Sequence, residues 1–103
     1  MDLSVFKLGN GEPMANSPSI GLPILWMEEE VKNKTEDEFW EWIVDLNNNW
    51  YNENHLKSIE KRRELNKNLI PADFDIQLII CLSMIFLQSQ DEWTKRGLNP
   101  IPR

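Results

Sequence analysis

The fold of this chain is decided by the stretch from Ile76 to Leu87, which reads IQLIICLSMIFL. On a helical wheel at about 100° per residue, these side chains are apolar on almost every side. Only a narrow sector near Gln77 and Gln88 is polar. A helix that is hydrophobic nearly all round belongs in the middle of a bundle, and twelve residues are too few for a membrane span, which needs roughly 20. The pattern therefore predicts a central buried helix and no contact with a membrane.

Around this helix, the sequence predicts a small all-α domain covering residues 1–103, with about four helices in a bundle. The helices are predicted over residues 23–34, 36–47, 53–67 and 74–96. Residues 1–22 are predicted to form an extended arm on the helices. A short strand from Leu3 to Leu8, ended by the turn signal Gly9-Asn10-Gly11, remains an alternative for the beginning of that arm.

Local signals set the predicted helix ends. Thr35 and Glu38 have the spacing of a capping box at the start of the second helix. Asp73 suits the N-cap of the central helix, and Gly97 suits the left-handed position that stops it, so that Leu98 folds back. The second helix carries an apolar stripe with i, i+3, i+4, i+7 spacing, made of Phe39, Trp42, Ile43 and Leu46.

The charge of the chain is negative and unevenly distributed. The formal net charge is -6, and residues 1–46 hold ten acidic and three basic side chains, whereas residues 47–103 hold seven acidic and eight basic ones. A negative field disfavours nucleic acid and speeds encounter with basic partners. The beginning of the chain has no basic region followed by an apolar run, so we expect a cytoplasmic protein.

The sequence offers few groups for chemistry. The chain has one His and one Cys, His55 and Cys81, which excludes an internal disulfide and cannot supply a zinc site. We expect Cys81 to be a buried, unreactive thiol. The basic run from Lys57 to Lys67 is interleaved with Glu60 and Glu64, which is typical of a solvated helix face. We therefore predict no enzyme, no catalytic residue, no metal or cofactor site and no binding of nucleic acid.

The acidic side of the second helix is more informative. Asp37, Glu41 and Asp45 form like-charge i, i+4 pairs, each destabilising by roughly 0.2–0.5 kcal/mol, and no Lys or Arg lies between Thr35 and Tyr51. Trp40 is expected to project at the border of this face, with Val44 one turn further on. The predicted partner-binding residues are the acidic side chains of the first two helices and these two neighbours: Glu28, Glu29, Glu30, Asp37, Trp40, Glu41, Val44 and Asp45. In the alternative, Trp40 packs under the N-terminal arm and the acidic residues are ordinary surface.

In overall character, this small, acidic, helical and Trp-rich chain resembles the bacterial immunity proteins that neutralise nuclease toxins, including those of contact-dependent growth inhibition. The resemblance covers the whole chain in character and rests on no diagnostic motif. It implies a one-to-one complex with the basic nuclease domain of a toxin, in which the active site or the substrate groove is masked. An acidic inhibitor complements a groove that binds RNA or DNA.

Two other functions remain open. The first is a phage-encoded inhibitor or nucleic-acid mimic that acts on a host defence complex and carries a similar acidic surface. The second is a subunit of a helical complex that binds its partners through apolar surface alone, in which case the acidic face is incidental.

Overall fold

A computed structural model of the chain describes residues 2–18, 20–50 and 71–101. The fold is all-α, with four α-helices in the described residues: α1 (Gly21–Val31), α2 (Glu36–Asn49), α3 (Pro71–Gln88) and α4 (Gln90–Lys95). The first two agree with the predicted helices 23–34 and 36–47 to within three residues at each end. The predicted helix 53–67 lies outside the described residues, as does His55.

The N-terminal arm is folded rather than extended. Residues Leu3–Val5 and Met14–Asn16 form short 3-10 helices, and a turn between them brings Lys7 opposite Pro13 in an isolated bridge. Gly11 closes this turn with a φ of 85°, a value that favours glycine. The alternative of a short strand from Leu3 to Leu8 is wrong as well, because Leu3–Val5 form a 3-10 helix and the backbone turns so that Leu3 and Phe6 enter the core.

The start of α2 matches its prediction. The Thr35 hydroxyl accepts a hydrogen bond from the Glu38 amide at 3.2 Å, and the Glu38 carboxylate accepts one from the Thr35 amide at 3.0 Å. This reciprocal pair satisfies two amides that the helix itself leaves unpaired. The apolar stripe then places Phe39, Ile43 and Leu46 in the core.

The single helix predicted over residues 74–96 is wrong in its continuity, because the structure has two helices in this range. The helix begins earlier, at Pro71, and proline is tolerated at a first helical position because its missing N–H is not needed there. It breaks at Ser89, whose buried hydroxyl donates to the carbonyl of Ile85. Such back-bonding to the preceding turn often bends helices. The chain then continues as α4.

The two sides of α3 differ in exposure. Phe74, Leu78, Cys81, Leu82 and Ile85 are buried and pack in the core with α1, whereas the opposite side exposes Ile76, Ile80 and Leu87. The prediction of a helix buried all round is therefore wrong on that side. Within the central stretch, Leu82 and Ile85 are buried, whereas Ile79 and Phe86 are only half-buried.

The end of α4 has the predicted glycine stop. Gly97 adopts a φ of 69°, and the Leu98 amide donates to the carbonyl of Trp93 at 2.9 Å, which is the hydrogen bond of a Schellman motif. The following residues are held on α2, where Asn47 and Asn48 bond to the backbone of Asn99 and Ile101.

Across the described parts of the chain, none of the helices combines the length and the apolar character that crossing a membrane requires.

Candidate functional site

The acidic face of α2 is exposed, as expected. Asp37, Glu41 and Asp45 follow one another at intervals of four residues, which places them on one side of the helix, and all three are exposed. The apolar stripe of Phe39, Ile43 and Leu46 lies on the other side of the helix. The helix therefore separates its carboxylates from its apolar stripe.

Trp40 does not project from this face. Its side chain is only 2% exposed, and Val44 is buried as well. The indole ring packs edge-on against Phe39 and Phe6, with ring centroids 5.0 and 6.2 Å apart. Phe6 belongs to the N-terminal arm, so the arm covers the side of α2 that a wheel of α2 alone leaves open. The expectation of a projecting aromatic anchor is wrong for this reason.

One cation, Arg96, lies beside the acidic face, although it is far from α2 in the sequence. Arg96 lies 3.0 Å from the Asp37 carboxylate, 3.4 Å from that of Glu36 and 2.6 Å from that of Glu92. Its guanidinium carbon lies 5.9 Å from the centroid of the Trp40 ring, within the range of a cation–π contact. We call these residues (Glu36, Asp37, Trp40, Glu92 and Arg96) the Arg96 cluster.

The other carboxylates predicted to bind a partner differ in whether a neighbouring group forms an ion pair or a hydrogen bond with them. Glu29 forms an ion pair with Lys32 at 2.6 Å, and Asp45 accepts a hydrogen bond from the side-chain amide of Asn49 at 2.7 Å. Among the described residues, no Lys or Arg forms an ion pair with the exposed carboxylates of Glu28, Glu30, Glu41 or Asp45. With Glu38, whose carboxylate accepts from the Thr35 amide, these four side chains are the exposed carboxylates of α1 and α2 that no described Lys or Arg pairs with.

Asp2 joins the acidic parts of the surface. It lines a cleft of about 470 Å³ together with Glu36, Trp40 and Glu92, and an adjoining cleft of about 490 Å³ together with Glu28 and Lys32. The structure therefore brings the beginnings of the chain, of α2 and of α4 to one place. Glu41 and Asp45 line neither cleft.

Hydrogen bonds keep several of these carboxylates ionised. The Ser4 backbone amide lowers the pKa of Asp2, the Thr35 backbone amide lowers the pKa of Glu38, and the hydrogen bond from Arg96 lowers the pKa of Glu92. The reciprocal hydrogen bond to Glu92 raises the pKa of Arg96.

The sequence analysis missed Asp2, Glu36, Glu92 and Arg96 as members of this surface. Glu36 is identifiable as an acidic first-turn residue of α2. The placement of Arg96 has no local signal, because the residues it joins are separated by 59 positions in the chain.

The remaining candidates for chemistry are isolated. Cys81 is fully buried, and burial raises the pKa of its thiol to about 12. Within residues 2–18, 20–50 and 71–101, no three His, Cys, Asp or Glu side chains are grouped so that they could hold a metal ion. Comparison with known protein families, curated protein sequences and solved structures finds no match for this chain.

Proposed function

We propose that this chain is a cytoplasmic protein, without catalytic activity, that binds and neutralises a basic protein. The observation that carries the proposal is the group of exposed carboxylates on α1 and α2 that no described cation pairs with: Glu28, Glu30, Glu38, Glu41 and Asp45. Like-charge pairs at i, i+4, such as Glu41 and Asp45, lower the stability of the helix. Binding of a cationic partner would offset this repulsion, which gives a physical reason for the pair. The partner of best fit is the nuclease domain of a toxin, bound one to one, with this chain acting as its immunity protein.

The physical logic is complementarity of charge. A nuclease binds a polyanion, so its substrate groove is basic, and an acidic surface placed over that groove accelerates association and masks the catalytic residues. Glu41 and Asp45 form the part of the surface that is most readily altered, because both are exposed and neither contributes to the core. Trp40 is unsuitable for such a test, since its truncation would remove core packing.

The test is inhibition of a nuclease toxin encoded beside this chain. We expect stoichiometric inhibition of its nuclease domain by the parent chain, and about a tenfold slower association for the double variant Glu41→Lys, Asp45→Lys, with a weaker salt dependence. Asp91→Lys is the matched control for either single reversal, Glu41→Lys or Asp45→Lys, because it reverses one exposed carboxylate, on α4, that forms no ion pair within the described residues.

Stopped-flow measurement of the association rate of each variant with the nuclease domain, at several salt concentrations, tests this expectation. Failure of the parent chain to inhibit the nuclease contradicts the immunity function. Equal slowing by a single reversal on α2 and by Asp91→Lys would mean that net charge alone acts and that α2 is not the interface.

A second function is favoured by a different observation, the exposed apolar side of α3. Leu87 is 83% exposed and Ile76 is 58% exposed, and surface of this kind is typical of protein contacts when it is contiguous. A subunit that binds through this side would lose its complex on Leu87→Asp and keep it on Glu41→Lys. The opposite pattern supports the acidic surface.

A further inference from the structure

Four exposed residues form a stripe along the outer side of α3. Between Ile76 and Leu87, the exposed side chains are those of Ile76, Ile80, Ser83 and Leu87, and the three apolar ones are 58%, 41% and 83% exposed. We call these four residues the α3 stripe. Their successive spacings of four, three and four residues are those with which a helix of a coiled coil presents its contact residues to another helix. The stripe is therefore arranged to meet a second helix along its length.

The α3 stripe is uncharged. No Asp, Glu, Lys or Arg occurs from Ile76 to Gln88, whereas the whole chain has a formal net charge of -6. A basic partner therefore finds no counter-charge on this part of the helix. Two copies of the chain repel each other through their acidic surfaces, but they bring no like charges of this stretch together when the two stripes meet. The charge distribution thus favours a second copy of the chain over a basic protein at this side of α3.

The spacing of the stripe is symmetric about its centre, so the stripe fits an antiparallel copy of itself. When the two-fold axis passes midway along the stripe, Ile76 of one copy lies level with Leu87 of the other. Ile80 then lies level with Ser83, whose small side chain leaves room for the isoleucine, and each pair occurs twice, as two-fold symmetry requires. The Ser83 hydroxyl donates to the carbonyl of Ile79 at 2.9 Å. Covering this hydroxyl therefore leaves it with a hydrogen-bond partner.

We propose that this protein forms a weak two-fold dimer in which the α3 stripes of two copies pack against each other antiparallel. A cleft of about 370 Å³ beside Leu87 is lined in part by Leu8 and Met84, and the Ile76 side chain of the other copy lies level with it and packs at its mouth. The stripe is about 16 Å long, so its interface is smaller than the roughly 1,200 Å² at which stable complexes begin. We therefore expect half of the chains to be paired at a concentration on the order of 0.1 mM.

Sedimentation equilibrium of the full chain, from about 0.01 to 1 mM and at about 0.15 M salt, measures the dimer. We expect the weight-average mass to rise with concentration towards twice the mass of one chain. Leu87→Asp places two carboxylates in the apolar contact and should weaken dimerisation about tenfold or more. The matched control is Leu25→Asp, the same substitution at a side chain of α1 that is 58% exposed. We expect it to change dimerisation less than about twofold.

Disulfide trapping measures the antiparallel register independently. Ile76→Cys and Leu87→Cys are prepared as separate proteins and oxidised alone and as an equimolar mixture, with the native Cys81 thiol fully buried. In the antiparallel dimer the introduced thiols lie level only when one copy carries each substitution. Two copies of the same variant place these thiols about 16 Å apart along the helix axis. We therefore expect cross-linked dimer in the mixture and little in either protein alone.

A chain that stays monomeric up to about 1 mM overturns the inference, and so does equal weakening of the dimer by Leu87→Asp and Leu25→Asp. Cross-linking of Leu87→Cys with itself would indicate a parallel pair and overturns it as well. Circular dichroism establishes that each variant is folded, and if Leu87→Asp does not fold, the cross-linking decides alone. The immunity function is tested separately, by inhibition of the nuclease, so a monomer that inhibits the toxin removes only the dimer, and a dimer that does not inhibit it removes only the immunity function.

Discussion

Cys81 lies on the buried side of α3, with its sulfur 3.7 Å from the sulfur of Met27 on α1. The surroundings are apolar, and burial disfavours the charged thiolate, so the pKa of this thiol rises. The residue therefore behaves as a small apolar side chain of the core, as the sequence analysis expected from its position in the apolar stretch.

The stability of the protein should fall at alkaline pH because of Cys81. The thiol pKa rises from 9.0 to about 12 on folding, so the folded state holds its proton at pH values where the unfolded state has lost it. The contribution is complete below pH 9 and is lost as the pH rises towards 12, at about 1.4 kcal/mol per pH unit at most. Urea unfolding of the parent and of Cys81→Ala from pH 7 to pH 11 measures this.

Parent and variant should differ most in their pH dependence, with a flatter profile for Cys81→Ala above pH 9. Parallel profiles would contradict the assignment. Labelling of the native parent by a thiol reagent at neutral pH should be limited by unfolding, and rapid labelling would show that the thiol is accessible.

At the scale of the element, α3 shows why an apolar helix need not be central. Its side towards α1 supplies Leu78, Leu82 and Ile85 to the core, while Ile76, Ile80 and Leu87 face outward. Helix periodicity indicates which side chains share a face, but when every face is apolar it does not indicate which face packs inward. That choice is made by the partners of the helix.

Two truncations of similar size distinguish the faces of α3. Ile85→Ala removes a side chain that is 0% exposed and should lower the free energy of unfolding by about 2–5 kcal/mol, since the methyl groups leave a cavity. Leu87→Ala removes one that is 83% exposed and should change it by less than about 0.5 kcal/mol. Chemical denaturation monitored by Trp fluorescence measures both values, and similar losses would contradict the two-sided description.

At the scale of the whole molecule, side-chain amides of the helices form hydrogen bonds to the backbone of the N-terminal arm and of the segment after α4. Gln88 at the end of α3 accepts from the Lys7 amide at 2.9 Å and donates to the Lys7 carbonyl at 2.7 Å, and Asn48 grips the backbone of Asn99 and Ile101 in a similar way. The first of these contacts holds the N-terminal arm over Trp40. The core is therefore covered in part by two mostly non-helical segments, the N-terminal arm and the residues after α4.

Loss of the Gln88 contact should loosen the arm. Gln88→Ala leaves both backbone groups of Lys7 without this partner and should cost about 0.5–1.5 kcal/mol, since both hydrogen bonds are exposed and water can replace them, with faster hydrogen exchange at Lys7 and greater quenching of Trp fluorescence by acrylamide. Gln90→Ala is the matched control, because Gln90 is exposed and its side chain makes no hydrogen bond within the described residues. If both variants exchange and quench alike, Gln88 does not hold the arm.

Local patterns were enough to predict the all-α class, the capping box at Thr35, the apolar stripe of α2 and the glycine stop at Gly97, since each depends on residues within about two turns of one another. The burial of Trp40, the ion pair of Arg96 with Asp37 and the exposure of one side of α3 could not be predicted in this way. These outcomes depend on contacts between residues far apart in the chain, such as Phe6 with Trp40. A helical wheel describes one helix against solvent, whereas burial and ion pairing are set by whichever segments fold over it.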